Sequence, residues 1–192
     1  MCWNELVGSK RGVGGLKMGH VVQKRDVITE LFFNFPQKEF HIRELARTAK
    51  IPKSTLQREI QDLLNTGLVI KKKRTPYPVY VSDETNFWYK FRKRESLIEK
   101  IYYSGLIEYL DNSLHPKVII LFGSGAKGEY VQKSDIDLFV LSSEKQVDVV
   151  RYEKKLKRKV NLLIKEDYIQ LSPELFNNII NGYKLKGYIK LK

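Results

Sequence analysis

After residue 20 the chain carries three stretches of helical periodicity. Val27, Ile28, Leu31 and Phe32 share one face of the first, which Pro36 ends. The second presents Ile42, Leu45, Ala46 and Ala49; Ile51-Pro52 then makes a turn that sets Pro52 at a first helical position. In the third, Leu56, Ile60, Leu63 and Leu64 turn inward, Lys53, Ser54, Thr55, Gln57, Arg58 and Gln61 turn outward, and Gly67 stops the helix. Two short β-prone runs, Leu68 to Ile70 and Val79 to Val81, flank a basic turn bearing Pro76 and Pro78, the pattern of a hairpin. Residues 84–114 read as a further helical stretch whose large side chains, Phe87, Trp88, Phe91, Leu97, Ile98, Ile101, Leu106, Ile107 and Leu110, need burial and tie two halves together. Val118 to Phe122 is an uninterrupted apolar run, expected as a strand buried on both faces. From Ser134 carboxylates and apolar residues alternate before the run Leu138 to Leu141, a second strand. Lys159 to Ile164 is a third strand, with Val147, Val150 and Leu156 marking a helix before it. Ser172-Pro173 caps a helix containing Leu175, Phe176, Ile179 and Ile180, and Tyr183, Leu185, Ile189 and Leu191 among lysines form a closing edge strand.

Three helices followed by a basic hairpin resemble a winged helix-turn-helix over residues 20–82. The resemblance is carried by Arg43 to Arg47, Ser54 to Ile60 and Leu63 to Val69. It implies a third helix that enters the DNA major groove, with Gln57 and Arg58 at base edges beside Thr55. Lys53, Ser54, Lys71, Lys72, Lys73 and Arg74 would then hold phosphates. Nine basic residues against three acidic ones between Arg43 and Arg74 favour that partner. Such folds also serve as dimerisation or protein-docking modules, and the basic turn also fits a solvated surface.

Composition narrows the picture. The 192 residues hold 35 Lys+Arg against 22 Asp+Glu, a net charge of +13, with 42% hydrophobic residues, so the chain can build a core and is not a disordered polycation. The charge favours a polyanion, double-stranded DNA or nucleotide phosphates, although a lysine-rich proteome decorates any surface this way. No apolar stretch reaches the ~18–20 residues of a membrane span, and no apolar segment follows the basic N-terminal residues as in a secretory signal. With Cys2 alone, no internal disulfide forms, which fits the reducing cytoplasm. Residues 1–19, rich in glycine, are expected as a flexible tail, with Met18 as a natural start. The Gly12 to Gly15 segment has no strand before it, as a dinucleotide loop requires. His20, His41 and His115 are too scattered for a zinc site.

The chemistry concentrates after the apolar run at 118–122. Gly123-Ser124 opens a turn and helix start suited to phosphate oxygens. Asp135 and Asp137, two apart on a strand, project from one face, where a divalent cation relieves their repulsion. Mg²⁺ favours such a site, held by one or two carboxylates and substrate phosphates. Gly-Ser, ten intervening residues, then Asp-x-Asp resemble the signature of the DNA polymerase beta-like nucleotidyltransferase superfamily in its minimal form, over residues 105–192. The resemblance implies that Gly123, Ser124, Lys127 and Ser134 bind the nucleotide. It also implies that Asp135 and Asp137 hold one or two Mg²⁺ ions and that ATP or another NTP is the donor. Lys127 stands where many relatives have arginine, keeping charge but losing bidentate geometry. The third carboxylate of active relatives falls on Asn161, a neutral amide that does not act as a base. Asp148, a conceivable substitute, is expected on a helix facing elsewhere.

The expected class is therefore α+β. A tail at 1–19 precedes a winged helix at 20–82, a helical connector at 83–114 and a small mixed-sheet nucleotidyltransferase domain at 115–192. The resemblance implies nucleotide transfer to a protein or small-molecule hydroxyl; some stand-alone members pair with HEPN-type toxins and act as antitoxins by attaching AMP to them. The competing expectation is a DNA-binding regulator, a homodimer on a two-fold operator, whose C-terminal domain binds nucleotide or a partner without turnover.

Overall fold

The computed structural model describes residues 24–143 and 145–190; the expected tail at 1–19, with Met18, His20 and the glycine segment, lies outside them, as does Leu191. Helices α1 (Lys24–Asn34), α2 (Ile42–Ala49) and α3 (Lys53–Asn65) precede a two-stranded antiparallel hairpin, β1 (Val69–Lys72) and β2 (Val79–Ser82). Ile28, Phe32, Phe33, Phe40, Leu45, Leu56, Ile60 and Leu63 fill one core between them. Phe40 exchanges two backbone hydrogen bonds with Tyr80, at 2.8 and 2.9 Å, which fastens the chain before α2 to the hairpin. Pro52 lies at the N-cap of α3 rather than inside it, one position earlier than its fixed φ suggests.

The helical stretch expected over 84–114 starts at Phe87 and breaks at Gly105, whose φ is +82°. It forms α4 (Phe87–Ser104), capped by the Asn86 side chain, and α5 (Leu106–Leu114). Leu97, Ile98, Ile101, Leu106, Ile107 and Leu110 are buried as expected, and the inward face departs from the expected one only toward the N-terminal end of α4. Tyr89, Lys93, Leu97 and Ile101 recur every fourth residue and are buried. Phe87 and Trp88, expected inside, are 77% and 54% exposed and meet each other edge to face. Helix phase decides this, because Tyr89 enters the N-terminal core while Leu97 and Ile101 enter the C-terminal one. One helix thus spans both cores.

The C-terminal sheet contains β3 (Val118–Phe122), β4 (Ile136–Leu141), β5 (Val160–Lys165) and β6 (Tyr183–Gly187), in the order β5-β4-β3-β6. β3 is antiparallel to both neighbours, and β4 is parallel to β5, so the sheet is mixed. Ile119, Leu121, Leu138 and Val140 pack with residues of α4, α5 and α7 (Val150–Leu156) on one face. Val118, Ile120, Phe139 and Leu141 pack with Ile179 of α8 (Pro173–Ile180) on the other. The apolar run at 118–122 is therefore covered on both sides. Ser172 caps α8, its Oγ accepting from the Leu175 amide at 3.3 Å. Among the described residues no helix is long and apolar enough to cross a membrane.

Candidate functional site

β3 delivers the chain to Gly123 with φ +66°, and α6 (Gly123–Lys127) turns away at once. A Cβ at position 123 would stand 2.6 Å from Asp137 Oδ2, so the carboxylate occupies the space that a side chain would fill. Ser124 is half-buried, and its carbonyl accepts from the Glu129 amide at 2.9 Å. Lys127 ends α6 and is exposed.

Asp137 pairs across the sheet with Phe122 on one side and Asn161 on the other. Strand alternation places Asp137 on the α8 face of the sheet, with Asp135 two residues ahead of it. Asn161 Nδ2 donates to Asp137 Oδ1 at 2.9 Å and to Asp135 Oδ2 at 3.3 Å. A single amide thus gathers both carboxylates. Asp135 is exposed and Asp137 half-buried, so the pair is not desolvated in the way an otherwise buried strand suggests. The repulsion between them is tempered by solvent and by the amide.

The donor chemistry suits a hard divalent cation: two carboxylates converge at a solvent-open edge. It is also lean, since no group of three His, Cys, Asp or Glu able to hold a metal exists among the described residues. Rotating the Asn161 amide by half a turn would present its oxygen where its nitrogen now donates.

The remaining candidates are placed as follows. Ser134 turns its Oγ to the Val131 amide at 2.9 Å, closing the loop before Asp135 instead of facing outward. Asp148, expected on a helix, instead precedes α7, and its carboxylate accepts from the Val150 amide at 2.9 Å. Its carboxylate is occupied by the turn that starts that helix. Lys53, Ser54, Gln57 and Arg58 are exposed on the first turns of α3, and Thr55 is half-buried. Lys71, Lys72, Lys73 and Arg74 are exposed around the hairpin turn. Arg74 grips Glu39 through two hydrogen bonds of 2.7 and 3.2 Å, Lys72 Nζ lies 3.9 Å from the same carboxylate, and Arg58 meets Glu59 at 3.3 Å. The hydrogen bond from Arg74 holds the Glu39 carboxyl below its ordinary pKa.

Sequence reasoning missed Arg158, which is half-buried against the loop that ends at Asp135. Its setting, Lys157-Arg158-Lys159, reads as a solvated basic run and carries no signal of that role.

Residues 104–185 match the model of the family described as Polymerase beta, Nucleotidyltransferase. No curated protein and no solved structure matches the chain significantly. The matched segment contains α5, β3, the Gly123-Ser124 turn, both aspartates, Asn161 and α8. The segment 104–185 therefore carries a nucleotidyltransferase domain of the polymerase beta-like superfamily.

Proposed function

We propose that the protein transfers a nucleoside monophosphate from an NTP, ATP first, to a hydroxyl of a protein or small molecule. The observation that carries this reading is the convergence of Asp135 and Asp137 on Asn161, with Asp137 seated against Gly123. Asp135 and Asp137 would hold Mg²⁺, which when bound supplies Lewis-acid stabilisation of charge at the α-phosphate and acidifies the acceptor hydroxyl. The Ser124 hydroxyl and Gly123 would seat the terminal phosphates, and the Lys127 ammonium would offset their charge. The acceptor oxygen forms its bond to the α-phosphorus as the bond to pyrophosphate breaks. Its proton leaves to water at the exposed Asp135 edge, since the Asn161 amide is no base.

The three N-terminal helices and hairpin are assigned in this reading to a winged helix that binds duplex DNA through Lys53, Ser54, Gln57, Arg58 and the exposed hairpin cations. The protein would act in the cytoplasm as a homodimer, with an antitoxin-like role toward a HEPN-type partner. A second reading is favoured by the hydrogen bonds of Asn161, which satisfy both carboxylates without a cation. In it, the protein is a DNA-binding regulator whose C-terminal domain binds nucleotide without turnover.

The deciding experiment incubates the full chain with α-labelled ATP, Mg²⁺ or Mn²⁺, and lysate of the source organism, with Asp135→Asn in parallel. A macromolecule labelled by wild type and not by the variant is the expected result. Equal labelling by Asp135→Asn overturns the site. No label, with salt-dependent duplex binding retained and weakened by Arg58→Ala, selects the regulator.

A further inference from the structure

Arg158 lies just before β5, and its guanidinium makes four hydrogen bonds. Nη1 donates to the carbonyls of Val131 at 2.6 Å, Ser134 at 2.8 Å and Gln132 at 3.3 Å. These are the carbonyls of the loop whose next residue is Asp135. On the far side of Asp135, the Ile136 amide donates to the carbonyl of Lys159 at 2.9 Å. The chain on either side of Asp135 is thus held by the adjacent residues Arg158 and Lys159. The same segment continues directly to Asn161, whose amide receives the carboxylate.

The other arm of the fork reaches the N-terminal helices. Nη2 donates to Asn34 Oδ1 at 2.6 Å, at the last residue of α1, and the Asn34 carbonyl accepts from the Gln132 amide at 3.0 Å. Asn34 is itself restrained, its Nδ2 donating to Glu30 at 3.4 Å, while Glu30 accepts from Ser96 of α4 at 2.7 Å and pairs with Lys100. Beneath the guanidinium, at 4.7 Å, lies the ring of Tyr130, buried and with its hydroxyl donating to the Lys93 carbonyl at 3.0 Å. Burial lowers the Arg158 pKa, and the negative charge of Asp135 is among the groups that oppose the shift.

We infer that Arg158 is a positioning residue for Asp135. Its fork sets the loop from which the carboxylate projects, and it takes its own bearing from Asn34, so the end of α1 helps hold the carboxylate pair. The inference rests on the reading of Asp135 and Asp137 as a divalent-cation site. A lysine at 158 keeps the charge but does not span three carbonyls and an amide oxygen, because its donors radiate from one atom.

The test uses the full chain, with Arg158→Lys, Asn34→Ala, Asn34→Asp and Asp135→Asn. Mn²⁺ affinity is measured by the paramagnetic resonance of the free ion, and amide hydrogen exchange is followed over residues 131–136. Arg158→Lys and Asn34→Ala are expected to weaken Mn²⁺ roughly tenfold, the low end for loss of an outer-shell partner, and to speed exchange in the loop. Asn34→Asp, which keeps an acceptor for the guanidinium but loses the donor to Glu30, is expected to restore both in part. Wild-type affinity in Arg158→Lys and Asn34→Ala, even with a lowered melting temperature, overturns the inference and leaves the cation site standing. If wild type binds Mn²⁺ no better than Asp135→Asn, the cation reading fails, and the inference about Asp135 as a ligand fails with it. Loop exchange then separates the two failures: it still quickens in Asn34→Ala if Arg158 sets the loop, and stays unchanged if it does not.

Discussion

Lys93 is the one charged residue among the buried ones of the described structure, 1% exposed, with its ammonium 4.9 Å from the Tyr130 ring and 5.4 Å from the Tyr89 ring. Burial pushes its pKa down to about 8; Glu84, Glu30 and Glu129 pull it back up, and Arg158 pushes it further down. In the unfolded chain the amine titrates near 10.4, so between about pH 8 and 10.4 the unfolded state binds more protons than the folded one. Stability from this residue therefore rises with pH across that window, and the penalty for holding the charged form is complete below about pH 8. Lys93→Met should stabilise the protein at pH 7, with the advantage shrinking as pH rises from about 8 toward 10.4. Urea titrations of both proteins at pH 7 and pH 10.5 check this, and a pH-independent difference would count against the depressed pKa. Asp135 and Asp137 were legible as a pair because alternation forces them to one side of a strand. Lys93 and Arg158 were not, because a lysine or arginine in a basic run reads as solvated until the fold buries it.

At the scale of elements, two glycines with the same backbone requirement separate strain from packing. Gly105 joins α4 to α5 at φ +82°, and a Cβ there would find only Tyr152 Cε1 at 3.9 Å. Gly128 ends α6 at φ +70°, and its Cβ would stand 2.2 Å from the Lys90 carbonyl oxygen of α4. Gly105→Ala should cost about 1–2 kcal/mol for the left-handed conformation alone. Gly128→Ala should add roughly 1–3 kcal/mol, because α4 and α6 must part. Chemical denaturation of the two variants measures the difference, and equal losses would mean that α4 yields freely. The strand over 118–122 was legible because its apolar run has no polar position to turn outward. The break at Gly105 and the exposure of Phe87 and Trp88 were not, since the phase of α4 is set by two cores that it must enter at once.

Over the whole molecule the positive charge is unevenly free to act. Glu39 engages Arg74 and lies within 3.9 Å of Lys72, while Lys53, Lys71 and Lys73 have no ion-pair partner among the described residues. If the hairpin meets DNA phosphates, Glu39→Gln releases two cations and should tighten duplex binding. The slope of log affinity against log salt should steepen by about 0.9 for each freed cation that meets a phosphate. Fluorescence anisotropy with a short duplex at about 50 to 200 mM salt reads this directly. Unchanged slope and affinity would remove the hairpin turn from the contact.

Periodicity and spacing by themselves determined the three N-terminal helices and the hairpin, the burial of β3 on both faces, and the placing of Asp135 and Asp137 on one side of a strand. These follow from local rules, since a side chain's face is set by the repeat of its element. Only the tertiary structure decided that one amide joins both carboxylates, that Asp137 rests on the glycine, and that Arg158 links their loop to Asn34. Those contacts join residues 14 to 124 positions apart, and no local pattern records which side chains a closed chain brings together.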